Sequence, residues 1–371
     1  MSSPPEGVDA LVRSLFHVKD AYQLPEGESE YRVEYRDDSK MNFEKLHESL
    51  GEKGILPWLS GSKEDCVLLL RKRQAPEGSR SRIPVIMILL TVVSISLFTF
   101  IYVAVYSTFA PTVPTAWVVF CYGGGVVFVL AAHELGHRIV ARRRGALSPR
   151  SFVIPGVPYI TFILPSLGFI NTPREPSVNR DRFFDLMLAG PLAGFVAALA
   201  LGILGQLTLV PSTLSASGAQ TVLSVISVQP LNPSVIQLIL GNGLAGFAPS
   251  VAPGYLSISP LADSAGVGLL LAFTSLMPLA FFDGGLLCTA AFGSRFSKAA
   301  TYVGVLALIL VDAPSYWALA IVVLLMVGRP LGISTLDEVS EVSRTKKLAF
   351  IAAVVIALAA LPIPAFLATI R

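Results

Sequence analysis

The sequence is poor in charge. Of its 371 residues only 14% are Asp, Glu, Lys or Arg, against 53% hydrophobic, where a soluble domain carries roughly 25% charge. This excludes a disordered chain, a coiled coil and a simple soluble domain, and points to a helical protein with several membrane spans. Cysteine is scarce too. Cys66, Cys121 and Cys288 stand far apart, so neither a disulfide framework nor a CxxC metal site is indicated. A net charge of +3 is too small to mark a nucleic-acid surface. The first twenty residues hold Glu6, Asp9 and Asp20 and lack an apolar core, so no cleavable leader is expected.

What charge there is collects early. Residues 1–82 hold thirteen Lys/Arg and fifteen Asp/Glu, more than half of the charged residues in the chain. They read as a small soluble α/β domain. A strand is expected at Tyr31–Tyr35, a helix near Met41–Glu52 with Phe43, Leu46 and Leu50 on one face, and a strand near Cys66–Leu70. From Pro84 the chain is apolar, with spans expected near 84–107, 115–140, 182–209, 264–292, 298–312, 314–328 and 347–369. A helix needs about 20 residues to cross the hydrocarbon. The fifth and sixth are short and also read as one longer helix broken at Asp312–Pro314.

Residues 152–170 are apolar but carry Pro155, Gly156, Pro158, Pro165 and Gly168. A re-entrant loop or β-hairpin buried among helices fits them better than a span. Residues 219–250, with Pro230 and Pro233, are similarly interrupted. The expected fold is an all-α polytopic membrane protein of about seven spans over 83–371, with one hairpin or re-entrant segment, behind the 1–82 domain. Arg142–Arg144, Arg150, Arg174, Arg180, Arg182, Arg295, Lys298, Arg329, Arg344, Lys346 and Lys347 flank alternate ends of the spans, and no Lys or Arg occurs from Gly205 to Gly266. By the positive-inside rule this predicts a multi-pass cell-membrane protein with a cytosolic N-terminus.

The chemistry centres on His133-Glu134-Leu135-Gly136-His137, inside the second span. Residues at i and i+4 share a helix face, so both imidazoles reach one metal ion. Glu134 sits beside them, placed to take a proton from a metal-bound water, as in zinc metallopeptidases. Ionisable groups within a span are costly and read as functional. A catalytic zinc wants a third protein ligand and an open position. The other two histidines, His17 and His47, belong to the N-terminal domain, so a carboxylate is expected. The candidates are Asp185, Asp263, Asp283 and Asp312.

Asp263 and Asp312 fall on the side without Lys or Arg. Asp185 lies three residues from Arg182 and reads first as an ion pair or a helix N-terminal carboxylate. Asp283 precedes Gly284-Gly285 and sits about as far from Arg295 as His133 does from Arg142, on the order of 18 and 14 Å at 1.5 Å per residue. Those glycines allow close approach of a helix or a substrate backbone. Cys288, five residues on, reads as packing. Gly190-Pro191-Leu192-Ala193-Gly194 in the third span reads as close helix packing with a kink.

Together these pieces resemble the site-2 protease family of intramembrane zinc metalloproteases. The resemblance rests on His133–His137, on Ala189–Gly194 and on Asp283-Gly284-Gly285 preceded by Pro278. Asn179-Arg180, Phe184-Asp185 and the soluble N-terminal domain resemble the archaeal and plastid-type branch. The likeness covers about 115–292. It implies that His133, His137 and Asp283 bind Zn2+, that Glu134 is the general base, and that the substrate is itself a transmembrane segment in the bilayer. Ser275, Pro278 and Gly284 are the implied substrate-binding positions. Ser275 departs from the family, which has asparagine there.

The function expected is regulated intramembrane proteolysis of membrane proteins. The alternative is a non-proteolytic membrane zinc transporter or sensor, which would use the same ligands without a base at Glu134. A transport path normally carries ionisable groups at several depths. Here the side without Lys or Arg has only Asp263 and Asp312. Residues 152–170 are expected either to hold an unwound substrate strand by edge pairing or to shield the site from lipid.

Overall fold

The computed structural model describes residues 6–24, 28–51, 53–72, 82–158, 160–161, 164–215, 218, 233–250, 252, 255–310, 314–327 and 333–363. Asp312, Arg329, Pro230 and the stretch 219–232 lie outside the described residues.

The N-terminal residues form helix α1 (Glu6–Leu15), strands β1 (Val18–Gln23) and β2 (Ser29–Val33), helix α2 (Ser39–Gly51), and strands β3 (Ile55–Gly61) and β4 (Cys66–Lys72). The strands make one antiparallel sheet in the order β1-β2-β4-β3. Alternation places Tyr31 and Val33 of β2 and Cys66, Leu68 and Leu70 of β4 in the core. Phe43, Leu46 and Leu50 of α2 and Val12 of α1 close over them. The expected strand and helix positions hold within a few residues; α1, β1 and β3 were not anticipated.

This core is completed from far along the chain. Leu336 is 1% exposed and belongs to it. Its segment lies between two backbones, with Leu59 donating to the Leu336 carbonyl at 2.7 Å and Leu336 donating to Ser177 at 2.8 Å. Ion pairs extend the joint. Lys40 meets Asp181 at 2.6 Å, and Arg182 meets Glu44 at 2.7 Å and Glu48 at 2.9 Å.

Among the described residues, three helices are long and apolar enough to cross a membrane by length and composition: α3 (Ile83–Phe109), α4 (Thr115–Arg143) and α5 (Arg180–Leu207). Then come α6 (Val235–Gly243), α7 (Pro260–Leu276), α8 (Asp283–Phe292), α9 (Ser294–Leu310), α10 (Pro314–Val327) and α11 (Arg344–Ala360). The segment expected as a single span over 264–292 is two helices, α7 and α8, separated by Met277–Phe282. Pro278 contributes no backbone donor there, and Phe281 has φ +68°. That left-handed conformation costs a bulky residue about 1–3 kcal/mol. The expected fifth and sixth spans are two separate helices, α9 and α10, packed on each other.

At the two ends of the interrupted segment 152–170, β5 (Arg150–Pro155) pairs antiparallel with β6 (Ser166–Thr172), the strand pair of a β-hairpin. Ser94 of α3 ties its tip by donating to the carbonyls of Gly156 and Pro165. A second hairpin pairs β7 (Val210–Ser215) with β8 (Tyr255–Ile258). The central helix is α5, which packs on α4, α7 and α8. The chain is thus mostly helical, with small sheets added.

Candidate metal centre

Helix α4 presents His133 and His137 on one face, both buried. Asp283 is the first residue of α8 and fully buried, at the end of the helix whose dipole favours a carboxylate. The break before α8 brings it to α4. Its Oδ2 lies 3.1 Å from His133 Nε2 and its Oδ1 lies 3.4 Å from His137 Nε2. One ligand atom from each of the three residues falls within 4.8 Å of the others. Asp185 and Asp263 are elsewhere: Asp185 pairs with Arg144 and Lys346, and Asp263 accepts from Tyr102 at 2.5 Å. The expected Asp185–Arg182 pair is replaced, because Arg182 turns to α2. Cys288 is packed in α8 and joins no metal-binding group among the described residues.

The imidazoles are held from behind. His137 Nδ1 lies 2.8 Å from the Leu186 carbonyl, so Nδ1 carries the proton and Nε2 offers its lone pair. His133 stacks on Phe169 of β6, with ring centroids 4.1 Å apart and planes within 8°. The stretch Gly190–Gly194 of α5 faces these rings. A Cβ on Gly190 would overlap His137 Nε2, and one on Gly194 would press on His133 at 3.3 Å. Gly136 likewise has no room for a side chain against Ala189. The glycines expected to pack helices therefore make room for the two imidazoles as well.

Asn171 escaped the sequence reading. This buried residue of β6 donates from Nδ2 to Asp283 Oδ1 at 2.6 Å and lies 3.4 Å from His137 Nε2. Its signal was a lone amide directly after the apolar run Leu167–Ile170. The Asn171 backbone also donates to the Phe281 carbonyl at 3.2 Å, joining the hairpin to the α7–α8 break.

Glu134 Oε1 accepts from Arg138 Nε at 2.9 Å, while Oε2 is buried without a hydrogen-bond partner. Of the three positions implied for substrate, Ser275 lies buried on α7 with its hydroxyl unpartnered. Pro278 accepts from Thr301 at 3.0 Å. Gly284 leaves space for the Leu276 and Met277 carbonyls, so the break can fold back on α8.

The donor set suits zinc. Two imidazole nitrogens and one carboxylate are donor types found in three-ligand catalytic zinc sites. His133 Nε2 and Asp283 Oδ2 are buried and satisfy no hydrogen bond although they face each other. Such a close array of acceptors is costly unless a cation is shared.

Residues 124–311 match the model of peptidase family M50. The chain belongs to this family. Among curated proteins, the M50 chain is similar to the probable zinc metalloprotease EGY2, chloroplastic, of Arabidopsis thaliana. The two are 28% identical over 197 residues, covering 52% of this chain and 33% of that protein. It is also similar to the probable zinc metalloproteases EGY1, chloroplastic, of Oryza sativa subsp. japonica and of Arabidopsis thaliana. These are 27% identical over 239 and 243 residues, covering 62% and 64% of this chain and 38% and 42% of those proteins. The M50 chain thus spans a third to about two-fifths of the length of these relatives. No solved structure matches it.

Proposed function

We propose that this M50 chain is an intramembrane zinc metalloprotease that hydrolyses peptide bonds within transmembrane segments of other membrane proteins. The observation that carries the reading is the buried convergence of His133, His137 and Asp283, with Glu134 in the same helix as both imidazoles. Zinc held by these three residues would polarise the scissile carbonyl and lower the pKa of a bound water from 15.7 to ≈ 7.

The chain's own groups do the rest. Glu134 takes the proton on Oε2, its unpartnered oxygen, and passes it to the leaving amine. Arg138 holds Oε1 and so fixes the direction of the carboxylate. The Leu186 carbonyl keeps His137 in the tautomer that offers Nε2, and Asn171 holds Asp283 Oδ1. A substrate helix hides its carbonyls in internal hydrogen bonds and must unwind before attack. Strand β5 pairs with β6 on one edge and has no second strand partner among the described residues, which supports a role in holding the unwound segment. The arginines at the end of α4 support a cell-membrane protein with its N-terminal domain in the cytosol. The 1–82 unit acts as a docked domain and 83–371 as the catalytic membrane domain.

The test is cleavage of a single-span substrate in detergent by the unaltered chain and by Glu134→Gln, with zinc measured in both. Cleavage by the unaltered chain alone, at equal zinc, is expected. Equal zinc with no cleavage by either would favour the transporter or sensor, and absence of zinc from both would overturn the metal site.

A further inference from the structure

Beside Glu134 lies a cavity of ≈ 470 Å³ that opens to the surface. Its walls carry Arg138, Arg142, Arg150 and Arg174, and among the described residues Glu134 is the only acid lining it. Glu134, Arg138 and Arg142 recur every four residues, one stripe along α4. The stripe runs from the base to the charged end of the helix, about 12 Å at 1.5 Å per residue. Arg138 spends its charge on Glu134. Arg142 and Arg174 are exposed and have no carboxylate partner among the described residues.

We propose that this vestibule binds acidic residues in the flank of the substrate that emerges on the arginine-rich side, and so selects which spans reach the metal. The proposal rests on the protease reading and goes beyond it. Lipid headgroups also meet arginines at membrane surfaces, but this cavity is lined by Glu134, the residue read above as the base. The selection has teeth because of how spans insert. A membrane protein following the positive-inside rule brings its own Lys and Arg to this side, and two like charges brought together repel. A flank of Asp or Glu would be the exception that docks.

The experiment uses the full chain carrying Glu134→Gln, in nanodiscs of phosphatidylcholine. Binding is measured for one labelled transmembrane peptide with four Glu, four Ser or four Lys at both ends. The Glu flank should bind roughly tenfold more tightly than the Lys flank, the sum of a few partly exposed ion pairs. The preference should fade as salt rises. Arg142→Glu combined with Arg174→Glu should invert the order, while the corresponding Lys substitutions keep it. Equal binding of all three peptides, or an order unchanged by charge reversal, overturns the proposal. So does equal binding that rises only when phosphatidylglycerol is added, which would make the vestibule a lipid site. If the reversed variant loses its zinc or its helix content, Arg174→Gln and the salt titration decide in its place. Without the Glu134 substitution, ordered binding with no cleavage would sink the protease reading alone, and cleavage indifferent to the flank would sink the vestibule alone.

Discussion

Gly190 stands against the imidazole of His137 so closely that a single methyl group there would overlap Nε2. The imidazole and the glycine are on neighbouring helices, α4 and α5, and each depends on the other for its place. Helix packing and the placement of the imidazole are thus one arrangement. The backbone of α5 supplies the Leu186 carbonyl that holds His137 from one side and the bare Gly190 that admits it from the other.

Gly190→Ala should therefore displace His137 while leaving the apolar helices able to form. Zinc content is expected to fall by at least tenfold, with cleavage lost in proportion. Gly194→Ala should be milder, because its Cβ would meet His133 at 3.3 Å, a contact a small shift relieves. Elemental analysis of the two purified variants checks the order.

Asn171→Ala removes the amide that donates to Asp283 Oδ1. Loss of such a supporting hydrogen bond typically costs 10–100-fold in metal affinity or activity. The expected result is zinc that leaves in the presence of a mild chelator, with Asn171→Asp worse because it sets two carboxylates together. Competition titration against a chelating dye measures the change.

Leu336 lies in the core of the N-terminal sheet although it stands more than 250 residues beyond it. Leu336→Ala should destabilise that unit by about 2–5 kcal/mol, the usual range for truncating a buried leucine. Hydrogen exchange at β3 and β4 should then quicken while the membrane helices stay protected. Unchanged exchange would show that the inserted segment contributes nothing to the unit.

The joint between α2 and α5 should weaken in acid. Burial pushes the Glu44 carboxyl up, but hydrogen bonds from Arg182 and Asn179 and the nearby positive charges outweigh it and hold the group below its ordinary value. A folded-state pKa below the unfolded one of about 4.3 stabilises docking fully above that pH. The stabilisation is lost as pH falls through the lower, folded value. Exchange rates of α2 amides between pH 6 and pH 3 should show this loss, and Glu44→Gln should remove that part of the pH dependence.

The clustering of His133, Glu134 and His137 on α4 was legible from sequence because its logic is local. His133, Glu134 and His137 need only the helical repeat to share a face, and three long apolar runs need only their length to read as spans. Phe43, Leu46 and Leu50 disclosed α2 in the same way. The α7–α8 break was not legible: Pro278 and the glycines hint at it, but the apolar run continues across it, and only packing tolerates Phe281 at positive φ. Asn171 and Leu336 were invisible for a related reason. Each acts on residues more than a hundred positions away, Asn171 on Asp283 and Leu336 on Leu59, and a single polar or apolar side chain carries no period. Sequence by itself determined the chemistry available, two imidazoles and a carboxylate within five residues of an apolar helix. Tertiary structure decided which other carboxylate lies against them, because that depends on where a broken helix begins in space.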